Sequence, residues 1–381
     1  MKKIIDNYAD IHKPSFICEI GMFRDLLTFH GFDLSYAMCF GISGSMGFAY
    51  GPGDKNRFLS PDYALPSYMA SPIAPLSFGI NNLCRVSNVW SKSSRTSNKD
   101  ELVGIIKNYI NELRPIVVEV EAMQYFDLLG VPSFTVETNG ATKFAIGGHV
   151  VTVIGYDDEN STLTVVEAFI RTPIVVPMQA FIDCCVKQDC FVAPEGEWAV
   201  FYVPPRLMPL DYMIYHGIFQ MVNQMLNPYQ IGSMYSFGLE GLRKFFDDLL
   251  GWPKMMSKEK LKISLLLFYN FERMEPTRGF LRMLYSNFLR EAAEVTGKEE
   301  LKEASKRYAE LQILWKDLAE VILFMINASD EQTAVYIEKN QISCKELFNK
   351  IYEHESKAVH FLHHVLENWG AKNVNSRSKR V

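Results

Sequence analysis

Three residues in the first half of the chain have the types and placement of a nucleophilic device: Cys18, His149 and Glu167. Cys18 follows the extended-looking Lys13-Pro14-Ser15-Phe16-Ile17. It stands where apolar periodicity starts a helix, with Phe23, Leu26, Leu27 and His30 on one face. A thiol at a helix N-terminus meets unpaired N–H groups and the positive end of the dipole, which favours thiolate and lowers its pKa. Such a thiolate needs a histidine from elsewhere in the chain. His149 follows Gly147-Gly148 and opens the strand His149-Val-Val-Thr-Val-Ile-Gly-Tyr. The next strand ends in Val165-Val166-Glu167, and the polar turn Asp157-Asp158-Glu159-Asn160-Ser161 joins the two as a hairpin. That hairpin would set Glu167 beside His149, where it could hold the second ring N–H and fix the tautomer. The remaining cysteines, Cys39, Cys84, Cys184, Cys185, Cys190 and Cys344, read as small buried hydrophobes.

These residues have to be positioned by two unlike halves. Up to about Pro205 the sequence mixes helix and strand signals. Helices are expected over 18–30, 99–113 and 177–187, and strands over 116–121, 149–156, 163–167 and 198–203. Beyond Arg206 the period is helical, with helices near 211–226, 238–250, 257–271, 277–296, 299–327, 330–339 and 343–369. Pro204-Pro205, followed by Pro209, marks the boundary. The expected domains are therefore 1–205, 206–371 and a flexible tail 372–381. The class is α+β: an N-terminal helix plus an antiparallel sheet, then an all-α helical domain. A helix-borne Cys, a strand-borne His and an acid on the neighbouring strand is the papain-like order. Papain-like proteins also place a donor six residues before the Cys to bind the oxyanion; here that residue is His12.

Composition bounds the rest. The 381 residues, 48% hydrophobic and 22% charged, suit about two globular domains. No stretch has the roughly 18 uninterrupted apolar residues of a membrane span, since Lys316, Asp317 and Glu320 interrupt 311–328. The N-terminus reaches a charge too soon for a secretory leader. Seven cysteines without regular spacing point to reduced thiols in a cytoplasm. Up to Pro205 there are 15 basic against 22 acidic residues, and after it 24 against 22. Neither half has the basic surplus that nucleic acid demands, whereas a cationic small molecule suits the first. Glu119, Glu121, Asp127 and Glu137 are the carboxylates that could meet it, or simply a solvated face.

The segment from Phe16 to Gly41, with Cys18, a leucine-rich helix, Gly31 and Leu34-Ser35, resembles the opening of the butirosin biosynthesis protein H family. Pro115-Ile-Val-Val-Glu-Val-Glu121 is similar to that family's central strand, and Gly148-His149-Val-Val-Thr-Val-Ile-Gly-Tyr-Asp157 to its histidine strand. The blocks Gly238 to Leu249 and Gly279 to Ala293 are similar to the helical domain that accompanies it. The resemblance implies a papain-like fold used for acyl transfer; the namesake moves an aminoacyl group from an acyl carrier protein thioester onto an amine of an aminoglycoside. Two departures stand out: Ile17 where relatives carry His, and Tyr36 where they carry Glu.

On this footing Cys18 attacks a thioester on a phosphopantetheine arm, carried by an acyl carrier protein or by coenzyme A. His149 moves the protons and Glu167 steadies it. The acceptor is an amine, either a polyamine or an amino sugar, in secondary-metabolite biosynthesis. No resident cofactor or metal is expected. Tyr36, Gly41, Gly44 and Arg282 are expected to line the substrate site, the glycines in a loop over 41–53 that lacks a phosphate-loop ending. Arg278 and Arg282 could instead meet an acidic carrier protein or form a surface pair. His360, His363 and His364, one turn apart, read as a polar helix face. The same triad could serve a cysteine hydrolase (peptidase, amidase or thioesterase), or belong to an inactive binding module. The oligomeric state is undecided by sequence, which leaves a homo-oligomer open.

Overall fold

The computed structural model describes residues 1–52, 63–64, 67–73, 76–131, 143–144, 148–188, 193–227, 235–272 and 278–377. In chain order the first elements are β1 (Lys2–Ile4), α1 (Tyr8–Ile11), α2 (Cys18–Phe29), α3 (Tyr36–Ser43), β2 (Met46–Pro52), β3 (Tyr63–Ala64), β4 (Tyr68–Ile73) and α4 (Leu76–Ser87). There follow β5 (Trp90–Arg95), α5 (Lys99–Asn111), β6 (Ile116–Val120), α6 (Ala122–Leu128), β7 (Lys143–Phe144), β8 (His149–Asp157), β9 (Thr162–Val166), β10 (Ile174–Pro177), α7 (Met178–Cys185) and β11 (Glu197–Tyr202). Among the described residues the later elements include β12 (Ser236–Phe237) and the helices α8 (Leu210–Leu226), α9 (Gly238–Leu249), α10 (Trp252–Met255), α11 (Lys258–Tyr269), α12 (Arg282–Thr296), α13 (Glu299–Asn327) and α14 (Asp330–Arg377). The class is mixed α+β, with antiparallel sheets in the first half and a helical C-terminal region.

The chain forms two compact units. The first comprises Met1–Tyr36, Asp54–Leu65 and Asn88–Leu207. Its centre is a seven-stranded sheet in the order β10-β9-β8-β6-β11-β5, with β1 also pairing along β8, and every pairing in it is antiparallel. Strand alternation explains β6: Ile116, Val118 and Val120 are fully buried in one apolar cluster with Ile106, Val151, Val153 and Phe181, while Glu119 points to the other face. Helix α5 starts where Asn98 Oδ1 accepts the Glu101 N–H at 3.1 Å, and α6 where Glu121 accepts those of Met123 and Gln124. Helix α2 packs along β8, which brings its N-terminus to the end of the sheet where β8 begins.

The second unit comprises Ala37–Gly53, Pro66–Ser87 and Met208–Val381. Both units are thus discontinuous, where the sequence reading expects one cut after Pro205. Strand β2 lies between β12 and β4, which draws residues from early in the chain onto the helical part. Phe245, Phe246, Phe268, Phe280 and Trp315 form one aromatic core, with Phe48 of β2 packed among them.

Four expectations change here. The glycine-rich stretch expected to be loop in part is loop only at Gly44-Ser45 among its described residues, the rest being the end of α3 and β2. The helix expected from residue 277 starts at Arg282, because Gly279, Phe280 and Leu281 all hold positive φ (67°, 49° and 75°). The segments 330–339 and 343–369 form a single helix, and that helix runs to Arg377, so the expected flexible tail is helical over 372–377. Among the described residues no helix is long and apolar enough to cross a membrane.

Candidate active site

Cys18 is the first residue of α2 and 8% exposed. The segment before it is stitched to the loop that follows β9. His12 Nε2 donates to the Ile170 carbonyl at 3.0 Å, and the Ser15 N–H donates to the Ala168 carbonyl at 2.7 Å. His12 Nδ1 lies 2.6 Å from Asp25 Oδ2, and Asp25 Oδ1 accepts Arg24 Nε and Nη2 at 3.0 and 2.6 Å. Arg24 Nη2 also donates to the Lys13 carbonyl. Gly21 permits this close approach, since a Cβ there would run into Ser15 Oγ. His12, Arg24 and Asp25 are all buried. Both His12 nitrogens are committed to these contacts, so the oxyanion role expected of it is corrected: His12 anchors the irregular segment that leads to Cys18.

His149 and Glu167 are brought together as the hairpin requires. His149 Nε2 donates to both Glu167 carboxylate oxygens, at 3.0 and 2.9 Å, and both residues are buried. That tautomer leaves the lone pair on Nδ1, the nitrogen that can take a proton. The ring is walled by aromatics that sequence reading missed: Phe169 stacks on it at 5.6 Å, with Phe126 at 5.2 Å and Tyr125 at 6.0 Å. Tyr125 and Phe126 follow the capping Glu121 on α6, and Phe169 follows Glu167. Only the fold gathers them. The Phe169 N–H donates to Glu167 Oε1 at 3.3 Å, which fixes the carboxylate.

The thiol is near this pair, since the backbone N–H of Val150, next after His149, faces the sulfur. Among the described residues no hydrogen bond joins Cys18 to His149. Sγ instead donates to Glu19 Oε2 at 3.0 Å. Burial, then the Glu19 charge and hydrogen bond, push the thiol well above its usual range, and the Glu167 charge adds to this. The expectation that the helix terminus lowers the thiol pKa is therefore corrected: loss of water and adjacent carboxylates outweigh the dipole and the single Val150 N–H.

Tyr36 also belongs to this place. Its hydroxyl oxygen accepts the Ile17 N–H at 2.8 Å and is faced by the Phe16 N–H. Those two contacts use the oxygen and leave the hydroxyl hydrogen for another acceptor, beside Cys18. Burial raises the Tyr36 pKa, so the hydrogen stays on. On the sheet, Glu119 lies across from Val150, and Glu197 across from Arg95. Burial, then the charges of Glu197 and Glu19, push the Glu119 carboxyl up to about 7. Glu121 caps α6 instead of facing a ligand; Glu137, Gly147 and Cys190 lie outside the described residues.

Three expected substrate residues do other work. Gly41 is buried in α3, where a Cβ would strike the Phe288 ring, and Gly44 takes φ +64° against Gln220 of α8. Arg282 is 0% exposed, with Nε 2.6 Å from Glu355 Oε1 and its guanidinium 4.2 Å over Trp315. It can form no surface pair and meet no carrier protein. Among the described residues no cluster of three or more His, Cys, Asp or Glu could hold a metal; His360 turns to the Ser356 carbonyl and His364 to Glu367.

The fold and the site define an α+β protein with a buried Cys at a helix start beside a strand-borne His149 paired with Glu167, the residue after β9. Residues 17–168 match the butirosin biosynthesis protein H N-terminal family, and residues 188–362 match a domain of unknown function (DUF4872). Comparison with curated proteins gives no match.

Proposed function

We propose that this protein is a cysteine-dependent acyltransferase in a butirosin-type biosynthetic pathway, moving an acyl or aminoacyl group from a phosphopantetheine thioester to an amine. The match of residues 17–168 to the butirosin biosynthesis protein H N-terminal family supports the setting. The observation that carries the chemistry is the His149–Glu167 pair, which leaves Nδ1 as a base one residue from the N–H that faces the Cys18 sulfur. Cys18 adds to the thioester carbonyl while its proton passes to His149 Nδ1, and the carrier thiol leaves with that proton. The amine then attacks the acyl-Cys18, giving its proton to His149, which returns it to the sulfur. Glu167 balances the transient imidazolium. The Tyr36 hydroxyl donates to the developing oxyanion in place of His12.

Intact-mass spectrometry with acyl thioesters, with and without a diamine, tests this reading. The expected result is an acyl adduct absent in Cys18→Ala and strongly reduced in His149→Ala, discharged as amide when amine is added. Tyr36→Phe is expected to slow adduct formation about 100-fold, the usual effect of losing one oxyanion donor. Release as free acid at an amine-independent rate would make the protein a hydrolase. No adduct and no amide with any thioester would leave only a binding module.

A further inference from the structure

The hydrogen of Cys18 is held by Glu19, and this is an obstacle to the chemistry as well as a clue to its control. A thiol that donates to a carboxylate at 3.0 Å is directed away from the imidazole that must deprotonate it. The titratable groups facing the sulfur are Glu19 from its own helix, Tyr36 at the start of α3 and Glu167 from the end of β9, which in turn holds His149. Glu19, Tyr36 and Glu167 are side-chain types that carry no positive charge. Glu119 on the sheet adds to the negative field around Glu19, and the nearby Arg95 is already paired with Glu195 and Glu197.

We propose that Glu19 is a positioning residue that holds Cys18 as an unreactive thiol until an ammonium group of the acceptor pairs with its carboxylate and frees the sulfur. This rests on the acyl-transfer reading for the identity of the acceptor. The acceptor then carries two amino groups: one protonated and held at Glu19, the other neutral and free to attack. Once Glu19 is occupied, the S–H proton goes to His149 Nδ1 and the S–C bond forms as the carrier thiol leaves with that proton. The neutral amine next forms the C–N bond, the C–S bond breaks, and the amine proton returns to Cys18 through His149. Acylation therefore waits for the acceptor, so that the acyl-enzyme meets an amine before it meets water.

Alkylation of Cys18 by iodoacetamide, followed by peptide mass mapping, tests this without any thioester. At about pH 7.5, Glu19→Gln is expected to be alkylated at least about tenfold faster than the native protein, with the rate midpoint moved to lower pH. Glu19→Asp, which keeps the carboxylate, is expected to stay slow. 1,4-Diaminobutane is expected to accelerate the native protein and leave Glu19→Gln unchanged. Equal rates for the native protein and Glu19→Gln across the pH range overturn the proposal, as does a native protein indifferent to the diamine. Failure of acyl transfer with these alkylation results intact would strike the functional reading and spare the role of Glu19; transfer with equal alkylation rates would do the reverse.

Discussion

At the scale of single residues, the site is governed by carboxylates. Glu167 orients His149, Glu19 holds the Cys18 hydrogen, and Glu119 sits across the sheet from Val150 with its carboxyl pushed up to about 7. The last has a measurable consequence. A carboxyl raised in the folded chain binds its proton where the unfolded chain is ionised. Its contribution to stability is present in full below about 4.5 and is lost as the pH rises through about 7. Glu119→Gln is therefore expected to melt like the native protein near pH 4.5 and to be more stable by on the order of 1 kcal/mol at pH 8, after allowing for partial exposure. Thermal melts of both proteins across that range check it; a gain of equal size at both ends would contradict burial and neighbouring charge as the cause.

At the scale of elements, the helical unit holds a buried charge pair beside a strained entry. Phe280 and Leu281 sit in left-handed backbone at about 1–2 kcal/mol each. Burying both large side chains completely offsets that by about 2–3 kcal/mol apiece, and the Phe280 N–H finds Glu272 at 3.0 Å. The turn delivers Arg282 to Glu355, whose Oε1 also accepts the Trp315 indole N–H at 2.7 Å. Removing one partner strands the other charge in an apolar core. Glu355→Ala is expected to destabilise by about 3–5 kcal/mol, and the double change Arg282→Met with Glu355→Leu to recover most of that. Urea unfolding of the single and double variants measures the difference.

At the scale of the whole molecule, neither unit is one continuous piece of chain. Residues 37–53 and 66–87 belong with the helical unit, where β2 pairs with β12 and Gly41 lies against Phe288. A fragment ending at Leu207 would keep β2 and β4 without β12, α8, α9 or α12. It is expected to lack a cooperative thermal transition, read by the fluorescence of Trp90 and Trp198; a sharp melt for 1–207 would refute this.

Local pattern was enough for much of the frame. The β-branched runs in β6 and β8, the polar turn at 157–161 and the helical period after 206 each encode an element within a few residues, because the signal lies in neighbours along the chain. The His149–Glu167 contact follows from them, since a short hairpin leaves little choice of register. What pattern could not reach depends on neighbours distant in sequence. The aromatic walls around His149 come from α6 and the loop after β9. The commitment of His12 needs Asp25 and Ile170, and the burial of Arg282 needs Glu355 and Trp315. The thiol is the sharpest case: a helix terminus argues for thiolate, but water excluded by the fold and the carboxylates packed near the sulfur decide its proton, and those quantities exist only once the chain has closed on itself.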